Sequence, residues 1–169
     1  AENHYFICHQ QTSEIAGQMK TTLSTVTIAA MVALIGLVTA PHVAAHANAT
    51  GIVKERMNNF KASQGHLKAI SRLLGSAEFD EITSHASAMR EWGVAMPAAF
   101  PEGSGGAPSD AAPAIWTDNA GFVTAAGNHV AALDELIAAA EAGDAGAVGN
   151  AFKAVAGTCK ACHMKYRQF

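Results

Sequence analysis

The stretch Cys159-Lys160-Ala161-Cys162-His163, close to the end of a 169-residue chain, constrains the fold more than any other. Two cysteines three residues apart stand on neighbouring turns of one helix face, and a histidine follows at once. C-x-x-C-H is the attachment pattern of a c-type haem. Both thiols reach the vinyl groups of one porphyrin as thioethers, and the next imidazole is placed to take an axial position on the iron. A group anchored in this way cannot dissociate, so the chain must build a pocket for it. Two other chemistries use C-x-x-C, a redox dithiol and half of a zinc site. A thioredoxin-type dithiol opens a helix after a strand, and nothing ahead of Cys159 reads as a strand. A zinc site needs two more ligands, and the only other cysteine is Cys8.

Half of the residues are hydrophobic and the formal net charge is −3, which suits one domain with a true core. No basic stripe points to nucleic acid. No nucleophile–base pair or carboxylate dyad points to an enzyme. Alanine is abundant and β-branched residues are few after residue 50, a balance that favours helices.

Residues 19–47 read as a secretory signal peptide. Met19-Lys20 gives a positive start, Val26 to Val38 an apolar run, and Ala45-His46-Ala47 an A-x-A cleavage pattern. Cleavage there leaves a chain starting at Asn48 and a periplasmic protein with no membrane anchor. Residues 1–18 are then a mis-assigned extension ahead of the initiator Met19. The rival reading is an uncleaved anchor, for which the apolar run is short against the roughly 20 residues of a span. N-terminal sequencing of exported protein separates the two.

From Asn48 onward four helical patterns appear. The first covers about 49–74, with Val53, Phe60, Leu67, Ile70 and Leu74 on one stripe and Arg56 among them. Gly75 and Ser76 end it. The second covers about 77–93 with Phe79, Ile82, Ala86 and Met89. Residues 96–114 hold four of the five prolines and a Gly-Ser-Gly-Gly run, so they form a long crossover. The third pattern, about 115–142, repeats Phe122, Ala126, Val130, Leu133, Ile137 and Ala140. The fourth, about 145–166, carries the two cysteines, with His163 at the edge of its apolar face. Four helices, two short turns and one crossover predict an all-α, antiparallel up-down four-helix bundle, residues 48–169, with the haem near its C-terminus.

Several stretches of the chain resemble the cytochrome c prime family: Val53-Lys54-Glu55-Arg56 followed by Phe60, Phe100-Pro101-Glu102-Gly103-Ser104, Pro113-Ala114-Ile115-Trp116, and Cys159 through Arg167. The resemblance implies one covalent haem c held by Cys159 and Cys162. It implies His163 as the iron ligand, Arg56 near a haem propionate, and Arg167 beside His163, one turn on along the same helix face. It places Phe60 on the distal face, where a side chain without a lone pair leaves the iron five-coordinate and high-spin. It also implies homodimers through the first two helices. Trp116 is expected to pack on the haem, the alternative being that it only closes the bundle. The family's acidic residue before Ile-Trp is Ala114 here.

The leading expectation is a haem protein binding uncharged diatomic gases such as NO and CO, with electron transfer to an unidentified redox partner as a further capacity. The alternative is a six-coordinate, low-spin electron carrier of the c-556 type. Met57, three residues before Phe60, is the first candidate for the sixth ligand, with Met89 and Met96 behind it. His85 and His129 lie close to apolar stripes and are the histidines to watch. A third reading, a haem-free helical interaction module, requires the motif to be accidental.

Overall fold

The computed structural model describes residues 48–168. The signal-peptide segment 19–47 and the extension 1–18 lie outside the described residues. Four long helices make the body: α1 (Gly51–Leu73), α2 (Phe79–Ala95), α4 (Asn119–Glu141) and α5 (Ala145–Tyr166), with a one-turn helix α3 (Ala114–Thr117) just ahead of α4. Among the described residues the only β pairing is a single bridge, Ala111 to Arg167. No helix among them is long and apolar enough to cross a membrane.

The core shows the antiparallel order directly. At one end Ile70 of late α1 packs with Ile82 and Ala86 of early α2, Leu136 and Ala140 of late α4, and Val148 of early α5. At the other end Phe60 of early α1 meets Met96, Phe122 of early α4 and Tyr166 of late α5. Each helix therefore runs opposite to its neighbours. The buried positions of α2, at Ile82, Ala86, Met89 and Gly93, repeat every three or four residues, the spacing that puts one helix stripe into the core. Burying the Ile82 and Met89 side chains contributes about 1.5–3 kcal/mol each.

The short turns have local causes. Gly75 takes φ +83°, a conformation side chains oppose, and Ser76 folds back so that its hydroxyl and amide both donate to the Leu73 carbonyl. Asp144 caps α5 by accepting from the Ala147 amide at 2.9 Å.

Two expectations shift. The third helix is not continuous: Asp118, with φ −128° and ψ 52°, separates α3 from α4. Its carboxylate is held by the Tyr166 hydroxyl (2.9 Å) and by Lys165, both at the far end of the chain. Gly121 makes room for this contact, because a Cβ there would sit 2.3 Å from the Asp118 carboxylate and 2.6 Å from the Tyr166 hydroxyl. The buried stripe of α4 is also rotated. His129 and Leu136 point inward, while Val130 and Ile137 flank them half-buried.

Packing between helices follows α1 on α2, α2 on α4 and α4 on α5. The pair α1 and α5 makes no comparable contact. The bundle is thus parted along one seam, and the functional site lies there.

Candidate haem-binding site

A cavity of about 550 Å³ opens in the end of the bundle where α1 begins and α5 finishes. That is within the range of roughly 300–1,000 Å³ typical of small-molecule and cofactor sites. Its walls include Met57, Phe60 and Leu67 from α1, Trp92 from α2, Phe122 and Ala126 from α4, and Cys159, Cys162 and His163 from α5. Three methionines, Met57, Met89 and Met96, reach it. The C-x-x-C-H residues therefore face one partly open, mostly apolar space.

Both cysteines are free and half-buried. Burial pushes both thiols up, and the charge of Cys159 adds to the effect at Cys162. A nucleophilic redox dithiol needs a lowered thiol pKa, so the site is not built for that chemistry. Among the described residues no group of three or more His, Cys, Asp and Glu side chains is placed to hold a metal ion. The zinc reading has no second pair of ligands there. His163 is exposed at the helix edge, and partial desolvation, together with the Arg167 charge, lowers its pKa and favours the neutral ring that ligates a metal.

The wall opposite α5 is aromatic. Phe60 packs edge-on to Trp92 at 5.3 Å between ring centroids and lies 6.3 Å from Phe100. Phe100 meets Phe122 at 5.1 Å, and Phe122 meets Tyr166 at 5.4 Å. Such edge-to-face contacts are stiff and add about 0.5–1.5 kcal/mol each beyond their buried area.

Arg56 is 2% exposed, and its guanidinium is the hub of the crossover. It donates to the Ala99 carbonyl (3.2 Å), the Ser104 hydroxyl (2.8 Å), the Ser104 carbonyl (2.6 Å) and the Ser109 hydroxyl (2.7 Å). It also lies 4.3 Å above the Phe100 ring. These acceptors are all neutral, and among the described residues no carboxylate pairs with Arg56 in an ion pair. Burial consequently lowers its pKa. A buried cation at the edge of the cavity is left for an anionic ligand group to balance. The Trp92 indole N–H is buried in the same wall with no hydrogen-bond partner. A flat apolar macrocycle carrying acidic side arms fits all of these features: thiols to anchor it, apolar walls for its faces, and a buried cation and an orphan donor for its carboxylates.

Other expected residues fall elsewhere. Trp116 does not line the cavity. Its indole N–H bridges the Phe100 carbonyl (3.0 Å) and the Pro101 carbonyl (3.1 Å), and its ring fills the space above Gly105. It closes the bundle end by pinning the crossover. Arg167 does line the cavity, but from just beyond α5 rather than from a further helical turn. Its backbone is extended (φ −120°, ψ 139°) and its guanidinium pairs with Asp110 at 3.1 Å. His85 does not line the cavity. Met57, Arg56, Phe60, Cys159, Cys162 and His163 all line this one cavity.

Trp92 and His129 are among the wall residues that were not assigned to the site from sequence. His129 is 8% exposed, and burial lowers its pKa. The Thr158 hydroxyl donates to the Val155 carbonyl (2.7 Å) and so accepts from His129 Nδ1 at 2.8 Å. The hydroxyl has one proton, so Nδ1 of His129 carries the hydrogen of this bond, and burial favours the neutral ring, whose lone pair is then on Nε2. Its near-helical position beside the stripe was the only signal.

Comparison with known proteins agrees with this geometry. The model of the family described as Cytochrome C′ matches residues 51–167. The cytochrome c′ of Rhodospirillum rubrum is 36% identical over 140 residues, 81% of this chain and 95% of the relative. That of Pararhodospirillum photometricum is 37% identical over 119 residues, 69% of this chain and 95% of the relative. Among solved structures, cytochrome c′ from Rubrivivax gelatinosus superposes with a TM-score of 0.63 at 26% identity, covering 69% of this chain and 94% of that one. A nitric oxide complex of a variant cytochrome c prime from Alcaligenes xylosoxidans superposes at 0.64 with 29% identity, covering 70% and 94%. A seam-opened four-helix bundle with C-x-x-C-H on its wall, matched over its whole helical body, belongs to the cytochrome c′ family, whose members carry covalently attached haem c.

Proposed function

We propose that this chain is a periplasmic haem c protein that binds uncharged diatomic gases, nitric oxide foremost, on the iron face opposite His163. The observation that carries the reading is Phe60. Its ring stands in the cavity wall against Trp92 and Phe100 and offers no lone pair to a metal. The relatives support it: structures of Alcaligenes xylosoxidans cytochrome c prime include a nitric oxide complex and a carbon monoxide complex.

When bound, haem would supply an iron able to take a diatomic gas, and His163 would ligate that iron. The chain supplies the rest. Cys159 and Cys162 fix the group to α5 so that the imidazole of His163 is always presented. Arg56 and the Trp92 N–H offer donors to its acidic arms, a charge-assisted contact in the case of Arg56. Phe60, Phe100 and Phe122 make a crowded apolar wall that an anion or ordered water enters at high desolvation cost, whereas a neutral diatomic does not. Arg167, beside His163, places a positive charge on the proximal side. Export through residues 19–47 puts the protein in the compartment where such gases and redox partners meet it.

Met57 lines the same cavity and supports a second reading, a six-coordinate electron carrier. The test is the absorption spectrum of the reduced, haem-loaded protein before and after adding CO or NO. Broad bands that shift on adding gas are expected. Sharp bands that do not shift would replace gas binding by electron transfer.

A further inference from the structure

On the α1–α2 face, His66 and His85 aim the same ring nitrogen at each other. Their Nδ1 atoms are 3.0 Å apart, with ring centroids at 5.2 Å and planes inclined by 48°. Both side chains are half-buried, and neither lines the haem cavity. Two neutral imidazoles in this position hold one hydrogen bond, in which one Nδ1–H donates to the lone pair of the other. Moving that proton to Nε2 of the same ring frees a lone pair on each Nδ1, one from each helix, with no net loss of a proton.

The spacing suits a metal ion. Imidazole nitrogens bind first-row ions at about 2.0–2.1 Å, so nitrogens separated by 3.0 Å subtend about 94° at a shared ion. That is the angle between neighbouring ligands in a square-planar or octahedral site, the geometries of Cu(II) and Ni(II). A tetrahedral pair would need the nitrogens about 3.3 Å apart. Among the described residues no third His, Cys, Asp or Glu side chain is grouped with them, so water completes the set. We infer that His66 and His85 form a chelating site for a divalent first-row transition-metal ion, Cu(II) above Ni(II) and Zn(II), that clamps α1 to α2.

The clamp acts on the helix that carries the site. His66 lies six residues past Phe60, about 9 Å along α1. An ion bound only by the folded pair stabilises the fold by mass action, and it does so by tying the distal helix to its neighbour. The inference does not rest on haem chemistry, since no atom of the pair faces the cavity.

The test uses the full haem-loaded ferric chain. Cu(II) is titrated calorimetrically into the parent, His66→Asn and His85→Asn, and thermal midpoints are recorded with and without the ion. The chain's other histidines are common to all three proteins. One Cu(II) is expected in the parent that either substitution weakens by at least the roughly 10- to 100-fold that even an outer-shell partner is worth. The Cu(II)-dependent rise in the midpoint should vanish with it. Equal stoichiometry, affinity and midpoint shift in all three proteins overturns the site. The two variants are read independently, so one folded variant suffices. The parent alone also decides: Cu(II) should protect His66 and His85 from diethylpyrocarbonate, read by peptide mass, and equal modification with and without Cu(II) overturns the proposal.

Discussion

Replacing Arg56 by methionine tests how the site is assembled, because one buried side chain holds the crossover on the bundle. The substitution keeps much of the side-chain length and removes four hydrogen bonds. The Ser104 hydroxyl retains its bond to the Pro101 carbonyl, and the Ser109 hydroxyl still accepts from the Ala111 amide. The Ala99 and Ser104 carbonyls lose the partner the structure gives them. Leaving a buried acceptor unsatisfied costs about 1–3 kcal/mol. Ala99 is buried and Ser104 half-buried, so the expected loss for the two together is about 2–4 kcal/mol. Urea unfolding of haem-loaded protein, followed by circular dichroism, measures it. Arg56→Lys should recover less than half, because an ammonium cannot span two serines and a carbonyl as a planar fork does. A loss below about 0.5 kcal/mol in Arg56→Met, the size of an ordinary surface substitution, would refute the assignment of Arg56 as the crossover's anchor.

Three further outcomes follow from other parts of the fold. Leu133 has no exposed surface and sits in the core away from the cavity, so Leu133→Ala should cost about 2–5 kcal/mol in the same assay while the haem spectrum is unchanged. Trp116→Phe removes the donor to two crossover carbonyls and should cost about 1–2 kcal/mol and speed amide exchange in residues 100–106. His129 supplies a pH dependence. Its folded pKa is lowered by burial, so the unfolded chain binds the proton more readily. Stability is full above about 6.5, the free-histidine value, and falls as pH drops toward the lowered folded value. His129→Asn should flatten that limb of a stability–pH curve, and an unchanged limb would show that His129 does not cause it.

Much of the architecture is legible in the chain because its causes are local. The three- and four-residue spacing of Ile82, Ala86 and Met89 marks α2, and Gly75 and Ser76 mark the turn before it. C-x-x-C-H marks the cavity wall proposed to anchor the haem. Arg56, a charge on an apolar stripe, signals a buried role, although its neutral acceptors lie 43 to 53 residues away and cannot be read from α1 itself. What escapes the sequence is tertiary. Asp118 breaks the third helix because Tyr166 and Lys165 reach it from the chain's far end. The stripe of α4 is blurred because alanines surround it, so little hydrophobic contrast distinguishes His129 and Leu136 from Val130 and Ile137. Which tryptophan meets the cavity depends on how the crossover folds back: Trp116 turns to the Phe100 and Pro101 carbonyls, and Trp92 is left with its N–H in the wall.

The central claim is that no side chain of this protein fills the iron position opposite His163. Electron paramagnetic resonance of the resting ferric protein, beside Met57→Leu, tests it most directly. A high-spin signal in both, unchanged by the substitution, is the result the account predicts. A low-spin signal in the parent that turns high-spin in Met57→Leu would contradict it and make Met57 the sixth ligand.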